Sequence, residues 1–545
     1  MQGETAGGIR NFMTGKNDLK RKLGCLALGL AMCFAARDLA NAATNETARL
    51  VSADLQQTNG PLDTMFKFCV GAGRANEGLR ADWQRQLTYA HRECGFQYIR
   101  MHGLFDDDMG VYREDKNGHP EYNWQYIDEL FDFLQSIGMR PFVEVGFMPS
   151  DLASGKQTIF WWKGNTTLPK DFKKWGDFIR AFTEHVTQRY GEDEVKKWYF
   201  EVWNEPNLDG FFHGSQADYF HLYDVTTKAI KSVSPAYRVG GPATAGCGWI
   251  SEFINFCFTN SSPVDFVSTH TYGVDQGFLD ETGQRGTVLS TYPRSVYSEM
   301  IDTRKRISDS KMPNLELHFT EWSASYTPSD PIHDSYHSAA YILDKIKGAG
   351  TSVNSMSYWV FTDIFEEAGP RFTPFHGGFG LLNYQGINKP AFYAYQFMNR
   401  LGETELKSSD AASWVCADKS GGIQALVWDF SLPNPAPKEN NQVYYKRDLP
   451  SHPKSSVTVA LSGVPAGQYT MTVFRVGYRA NDAYSAYLDI GSPNQLSKAQ
   501  VAYIKSMSDG KPELVSIVKV AADGLIRQTF ELRDNDVCFL TFTKH

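Results

Sequence analysis

No pair of cysteines in this chain stands at the CxxC spacing of zinc or redox sites. Cys25 and Cys33 fall in an amino-terminal targeting segment, and Cys69, Cys94, Cys247, Cys257, Cys416 and Cys538 are scattered along the rest. Such sparse cysteines read as buried thiols rather than as a disulfide framework. A basic surplus is also missing. The 54 Lys and Arg against 62 Asp and Glu leave a net charge of −8, which argues against nucleic acid as a partner. Long apolar runs are absent beyond "LGCLALGLAMCFAA", which is itself shorter than the roughly 20 residues that span a bilayer. Lys16, Lys20, Arg21 and Lys22 precede that run and the small residues of "LANAA" follow it, so residues 1–42 read as a signal peptide that is removed. Translation starts at Met1 or at Met13, which would give a more usual charged leader. With six Lys/Arg and three Asp/Glu in that segment, its removal takes the charge from −8 to about −11. The mature protein is expected to be exported to the periplasm or beyond the cell, with no membrane attachment. There is no internal repeat and no GxGxxG after the first strand pattern, which disfavours a dinucleotide fold. His102, His270, His318 and His376 lack the short-range pairing of a metal site, so neither metal nor cofactor is expected.

What is present is a regular alternation. From about Phe66 to Arg400, eight short apolar segments ("FKFCVGAG", "YIRMHG", "RPFVEVG", "WYFEVWNEP", "YRVGGP", "VDFVSTHTYG", "LELHFTEW" and "MSYWVFTD") alternate with amphipathic helical patterns ending at Gly or Pro. This series predicts a (β/α)8 TIM barrel over residues 61–404. After Leu401 the pattern changes to apolar–polar alternation broken by turn residues, which predicts an accessory antiparallel β-sandwich over residues 405–545, with "SLPNPAPKENNQ" as a loop inside it. Residues 43–60 precede the barrel and are expected to add a strand to the sandwich. This second domain either binds polysaccharide or braces the barrel, and bracing is favoured. Aromatics reach 14%, a surplus that suits either sugar-stacking surfaces or a large aromatic core.

Two glutamates interrupt the aromatic stretch "WYFEVWNEPN" of the fourth barrel strand. Period-2 alternation places Tyr199, Glu201, Trp203 and Glu205 on the inner face, with Trp198, Phe200 and Val202 toward the helices. Buried carboxylates need partners. Glu201, one layer down, is expected to be supported by Arg100 of the second strand. Glu205 lies at the mouth, where barrel active sites are built, flanked by Asn204 and aromatics that suit a general acid. The seventh strand ends in Glu321, a second carboxyl across the barrel. Two carboxyls flanking a bond between sugars are what glycoside hydrolysis requires; their separation decides retention or inversion, and spacing along the chain leaves that open.

The strings "WYFEVWNEPNLDGFF", "VSTHTYG", "HFTEWSASY", "YWVFTDIFEE" and "FHGGFGLL" together resemble glycoside hydrolase family 39, a family of retaining barrel glycosidases that holds β-xylosidases and α-L-iduronidases. The resemblance covers roughly residues 48–540. It implies Glu205 as acid/base, Glu321 as nucleophile, and therefore retention. It also implies that Asn204 binds the sugar 2-hydroxyl, that His102 serves the 3-hydroxyl region, that His270 of the sixth strand binds substrate, and that Tyr272, also substrate-binding, positions the nucleophile. Trp359 would form an apolar floor, and either Glu366 or Glu367 would reach a sugar hydroxyl. The substrate class expected is short xylo-oligosaccharides, cleaved by a β-xylosidase. The loops "SASYTPSDPIHD" and "DIFEEAGPRF" are acidic apart from Arg371, which suits a neutral pentose better than a uronic acid. α-L-Arabinopyranosidase, β-galactosidase and α-L-iduronidase activity stay open, as does a carbohydrate-binding protein without catalysis. Oligomeric state is not legible.

Overall fold

The computed structural model describes residues 49–279, 285–432 and 441–545. The signal segment and most of the "SLPNPAPKENNQ" loop lie outside the described residues.

Eight parallel strands close into a barrel in chain order: Cys69–Arg74, Tyr98–His102, Arg140–Val145, Tyr199–Val202, Arg238–Thr244, Phe266–Tyr272, Glu316–Ser323 and Ser355–Tyr358. These are the eight segments whose apolar runs stand out in the sequence. Helices such as Ala81–Cys94, Phe172–Tyr190 and Gln216–Val233 connect them. Each forms for local reasons. Ala81–Cys94 ends because Gly95 adopts φ 77°, which lets its N–H turn back to the carbonyl of His91 at 2.8 Å. Gln216–Val233 starts in a capping box between Ser215 and Asp218. Outward strand residues such as Ile99, Val143, Phe200 and Val202 are fully buried against these helices. Inside, the barrel floor is plugged by Cys69, Tyr98, Phe142, Tyr199 and Phe266, with Phe142 and Tyr199 stacked at 5.0 Å.

The second unit of structure is a nine-stranded sheet. The strand Arg49–Pro61 sits inside it, antiparallel to Thr404–Ser408 but parallel to Val457–Ser462. The sheet is thus mostly antiparallel, with one parallel pair that alternation alone does not reveal. Its inner face, including Val51, Val415, Ala425, Val459 and Leu540, forms a core of its own. The opposite face joins the barrel: Trp414, Trp428, Phe474 and Phe539 belong to the same apolar cluster as the barrel helices, and Phe397 of the last barrel helix stacks on Phe539 at 5.1 Å. A continuous apolar core of this kind couples the stability of the two parts. The six cysteines Cys69, Cys94, Cys247, Cys257, Cys416 and Cys538 are all buried and free. Among the described residues no helix is long and apolar enough to cross a membrane.

Candidate active site

Above the aromatic plug, the same inward-facing alternation raises Arg100 over Tyr98, Glu144 over Phe142 and Glu201 over Tyr199. Glu144 and Glu201 lie side by side in register. All three side chains are essentially out of contact with solvent. Three like charges could not be buried there, and two carboxylates without a cation would each carry a large desolvation cost. Arg100 supplies the charge. Its Nε donates to Glu201 Oε2 at 2.5 Å, Nη1 to Glu321 Oε1 at 2.7 Å and Nη2 to Asn204 Oδ1 at 2.8 Å, while Nη2 also stands 2.9 Å from Glu144 Oε2. Burial works against the Glu201 charge, but Arg100 outweighs it and holds that carboxyl below the usual range. Thr320 completes the set by donating to Glu201 Oε1 at 2.7 Å.

The layer above holds the reactive carboxyls, and neither follows simple alternation. The fourth strand stops at Val202. Trp203 turns at φ 72° into the helix-facing core, where its Nε1 donates to the carbonyl of Phe211 at 2.8 Å, so it does not share the inner face with Glu201. Glu205 itself has φ 45° and is pinned by its N–H to the carbonyl of Ala243 at 2.8 Å. That left-handed turn, costly for a residue with a side chain, aims the carboxyl into the cleft. In the seventh strand, a register irregularity between Phe319 and Trp322 lets the adjacent residues Thr320 and Glu321 both face inward.

Around Glu321, Tyr272 Oη donates to Oε2 at 2.7 Å and Arg100 holds Oε1. Burial keeps the Tyr272 hydroxyl protonated well beyond its ordinary range, so it remains a donor. Around Glu205, His270 Nδ1 lies 2.9 Å from Oε1, and His270 Nε2 lies 3.2 Å from Thr320 Oγ1. Burial pushes His270 down to about 4, so this neighbour is a neutral imidazole near neutral pH. Burial pushes Glu205 up to about 7, against the pull of His102 and Arg100. One oxygen of each carboxyl and a ring nitrogen of His270 lie within 4.8 Å of one another. Those are donor types that a cation could share, but here the positive charge beside Glu321 is already the Arg100 guanidinium.

His102 Nδ1 lies 2.7 Å from Glu144 Oε2, and its Nε2 faces Glu367 Oε1 at 3.4 Å and Glu321 Oε1 at 3.6 Å. Burial opposes a charge on His102, but Glu144 outweighs it and raises the ring to about 10. Both nitrogens are then donors at neutral pH. Burial also pushes Glu367 up to about 7 despite His102. Glu367 lines the cleft; Glu366 is turned away, ion-paired to Arg74 at 2.9 Å and Arg80 at 3.2 Å, with its N–H on Glu77. Glu366 opens a turn closed by the Gly369 N–H on its carbonyl at 2.9 Å, and with its carboxyl held by the two arginines only Glu367 faces the cleft. Trp359 is buried in the cleft wall, where its ring lies so close to Gly71 that a Cβ there would meet it at 2.5 Å. Glycine is required at that contact.

His102, Asn204, Glu205, Tyr272, Glu321, Trp359 and Glu367 thus line one cleft of about 1840 Å³. His270 lies beneath it, behind Glu205, and Arg100 and Glu201 beneath that. Sequence reasoning missed Glu144 and Thr320. Glu144 carried the same signal that drew notice to Glu201, a carboxylate in the middle of a buried strand, "RPFVEV".

The arrangement can be set beside known proteins. The model for Glycosyl hydrolases family 39 matches residues 49–525. A β-xylosidase of Geobacillus stearothermophilus is 38% identical over 488 residues, covering 87% of this chain and 92% of that protein. The human α-L-iduronidase is more distant, at 24% identity over 84% of this chain and 72% of its own length. Among solved structures, the GH39 enzyme from Xanthomonas axonopodis pv. citri aligns with a TM-score of 0.88 at 43% identity, covering 91% of this chain and 98% of that one. A monomeric β-xylosidase from Caulobacter crescentus CB15 aligns at 0.87, also 43% identical, over 91% and 100% of the two chains.

Proposed function

This chain belongs to glycosyl hydrolases family 39, and from that premise we propose that it is a retaining β-D-xylosidase which releases xylose from the non-reducing end of xylo-oligosaccharides. The observation that carries the mechanism is the separation of Glu205 and Glu321, whose nearest oxygens lie within 4.8 Å. Retaining glycosidases hold their carboxyls about 5–5.5 Å apart, whereas inverting ones leave roughly 6.5–9.5 Å for a water. The roles follow from the surroundings. Glu321, held by Arg100 and Tyr272, is the carboxylate that attacks the anomeric carbon. Glu205, beside a neutral His270, keeps its proton to about pH 7 and gives it to the departing oxygen. In the second half-reaction the Glu205 carboxylate takes a proton from water, which attacks the same carbon and frees Glu321. Asn204, fixed by Arg100, is placed for the 2-hydroxyl, and the charged His102 with Glu367 for the neighbouring hydroxyl.

A neutral pentose suits the inner end of the cleft. Glu205, Glu321 and Glu367 all converge there, and the cations that face them, Arg100 and His102, are already committed to carboxylates. A sugar carboxylate at that position would add a fourth acid that neither Arg100 nor His102 is free to pair. The identity to bacterial β-xylosidases over most of the chain supports the same choice. We further propose that the enzyme is exported through its amino-terminal segment and acts in the breakdown of plant xylan. Initial rates on aryl β-D-xyloside, α-L-arabinopyranoside, β-D-galactoside and α-L-iduronide test the substrate. The xyloside should dominate; a dominant iduronide rate would overturn the assignment.

The alkaline limb of kcat/KM should have its midpoint near pH 7, because the acid form of Glu205 is present below about 7 and lost above it. In Glu205→Gln that limb should vanish, and turnover of an unactivated oligosaccharide should fall by about 10²–10⁴-fold. A limb that persists with the same midpoint would transfer the acid role to another group, and Glu367 would be the one to examine.

A further inference from the structure

The cleft is larger than the roughly 300–1,000 Å³ that encloses most small ligands, so a terminal xylose at Glu205 and Glu321 fills only its inner end. Its outer wall differs in charge from its floor. Arg371 lines that wall, half-buried, and its Nε is cut off from solvent without a hydrogen-bond partner. Among the described residues Arg371 makes no ion pair. The carboxylates that act on it electrostatically, Asp363 and Glu367, are committed elsewhere: Asp363 Oδ2 to Lys389 at 2.7 Å, and Glu367 to His102. Lys446, exposed on the same cleft, is likewise without an ion pair among the described residues. Phe372, next to Arg371 in the chain, lines the cleft and is 91% exposed; elsewhere on the cleft Tyr326 is 47% exposed.

A guanidinium donor stripped of water and left unpaired is costly, and native structures rarely carry one without a ligand or water to satisfy it. An unpaired arginine is suited to bidentate recognition of a carboxylate. The exposed ring of Phe372, adjacent in the chain, offers a flat apolar surface on which a sugar face packs. We propose that Arg371 and Lys446, with Phe372, form an anion-reading wall on the leaving-group side of the cleft. It would favour xylo-oligosaccharides that carry a uronic acid on the unit next to the cleaved bond. The inference rests on the xylosidase reading above and extends it: neutral xylose at the inner end, a carboxylate recognised outside it.

The test compares kcat/KM for xylotriose and for xylotriose bearing glucuronic acid on its middle xylose, in the wild type, Arg371→Gln and Lys446→Gln. The wild type should prefer the acidic substrate by about tenfold at low salt, the scale of one charged hydrogen bond. Raising ionic strength should shrink that preference. Arg371→Gln should bring the ratio close to one, and Lys446→Gln, at an exposed site that folding does not depend on, should reduce it in the same direction. Equal kcat/KM on the two substrates in the wild type, or a preference that neither substitution moves, overturns the anion-reading wall while leaving the xylosidase standing. Failure to cleave either trisaccharide overturns the xylosidase reading, and this inference with it.

Discussion

Glu321→Ala should lower turnover of an aryl β-D-xyloside on the order of 10⁵-fold, comparable to the loss of a covalent nucleophile in other enzymes. The effect should be chemical rather than structural. Without Glu321, Arg100 still faces Glu201, Glu144 and Asn204, so no buried charge is left without a partner. The folded protein should therefore be recovered with its thermal transition little changed. Azide provides the sharper readout. In Glu321→Ala it can enter from the vacated face and restore turnover with the opposite anomeric configuration, whereas in Glu205→Ala it should give a glycosyl azide of retained configuration. Either variant yielding the other's product would reverse the assignment of the two glutamates. Residual activity within about a hundredfold of wild type in Glu321→Ala would remove it as nucleophile.

The largest effect on stability should come from Arg100→Met. This substitution keeps much of the side-chain volume but leaves Glu201 without its cation in a solvent-free layer, and leaves Glu144 and Glu321 with His102 as their remaining positive neighbour. Breaking a buried ion pair from one side typically costs about 3–5 kcal/mol, because the remaining charge has neither water nor partner. Here several carboxylates share one guanidinium, so the loss should reach at least that range, measured as the shift in urea midpoint at constant slope. The double variant Arg100→Met/Glu201→Gln should regain part of the stability by removing one stranded charge, but no activity, since Asn204 and Glu321 would still lack their support. A single-variant loss below about 1 kcal/mol would mean that Arg100 is not the charge that makes this layer tolerable.

Both expectations bear on how a sequence of this kind is read. The eight barrel strands could be located from their apolar runs because alternation and helical periodicity are local properties. A strand is a strand wherever its neighbours are, and its turn residues announce its end. The same locality exposed Glu201 as a carboxylate needing a cation. Applied evenly it would also have exposed Glu144, which sits in an equally apolar strand. The family resemblance lay in short strings at the strand ends, where the chain must present the same groups to the same sugar.

The tertiary structure decided what depends on irregular backbone and on partners distant in sequence. Alternation would give Glu205 the same inner face as Trp203, but left-handed turns at both residues send Trp203 into the core and Glu205 into the cleft. It would also place Thr320 and Glu321 on opposite faces, yet a shift in strand register turns both inward. Nothing along the chain distinguishes Glu366 from Glu367, whereas in three dimensions Arg74 and Arg80 capture the first and leave the second to the cleft. The sequence by itself determined the barrel, the second sheet's mostly antiparallel strands and the identity of the two carboxyls, because residue type and periodicity set these locally. The separation of those carboxyls, the proton held by Glu205 and the charge held by His102 were decided only by folding. Distances and pKa values arise from burial and from charges brought together across the barrel, Arg100 above all.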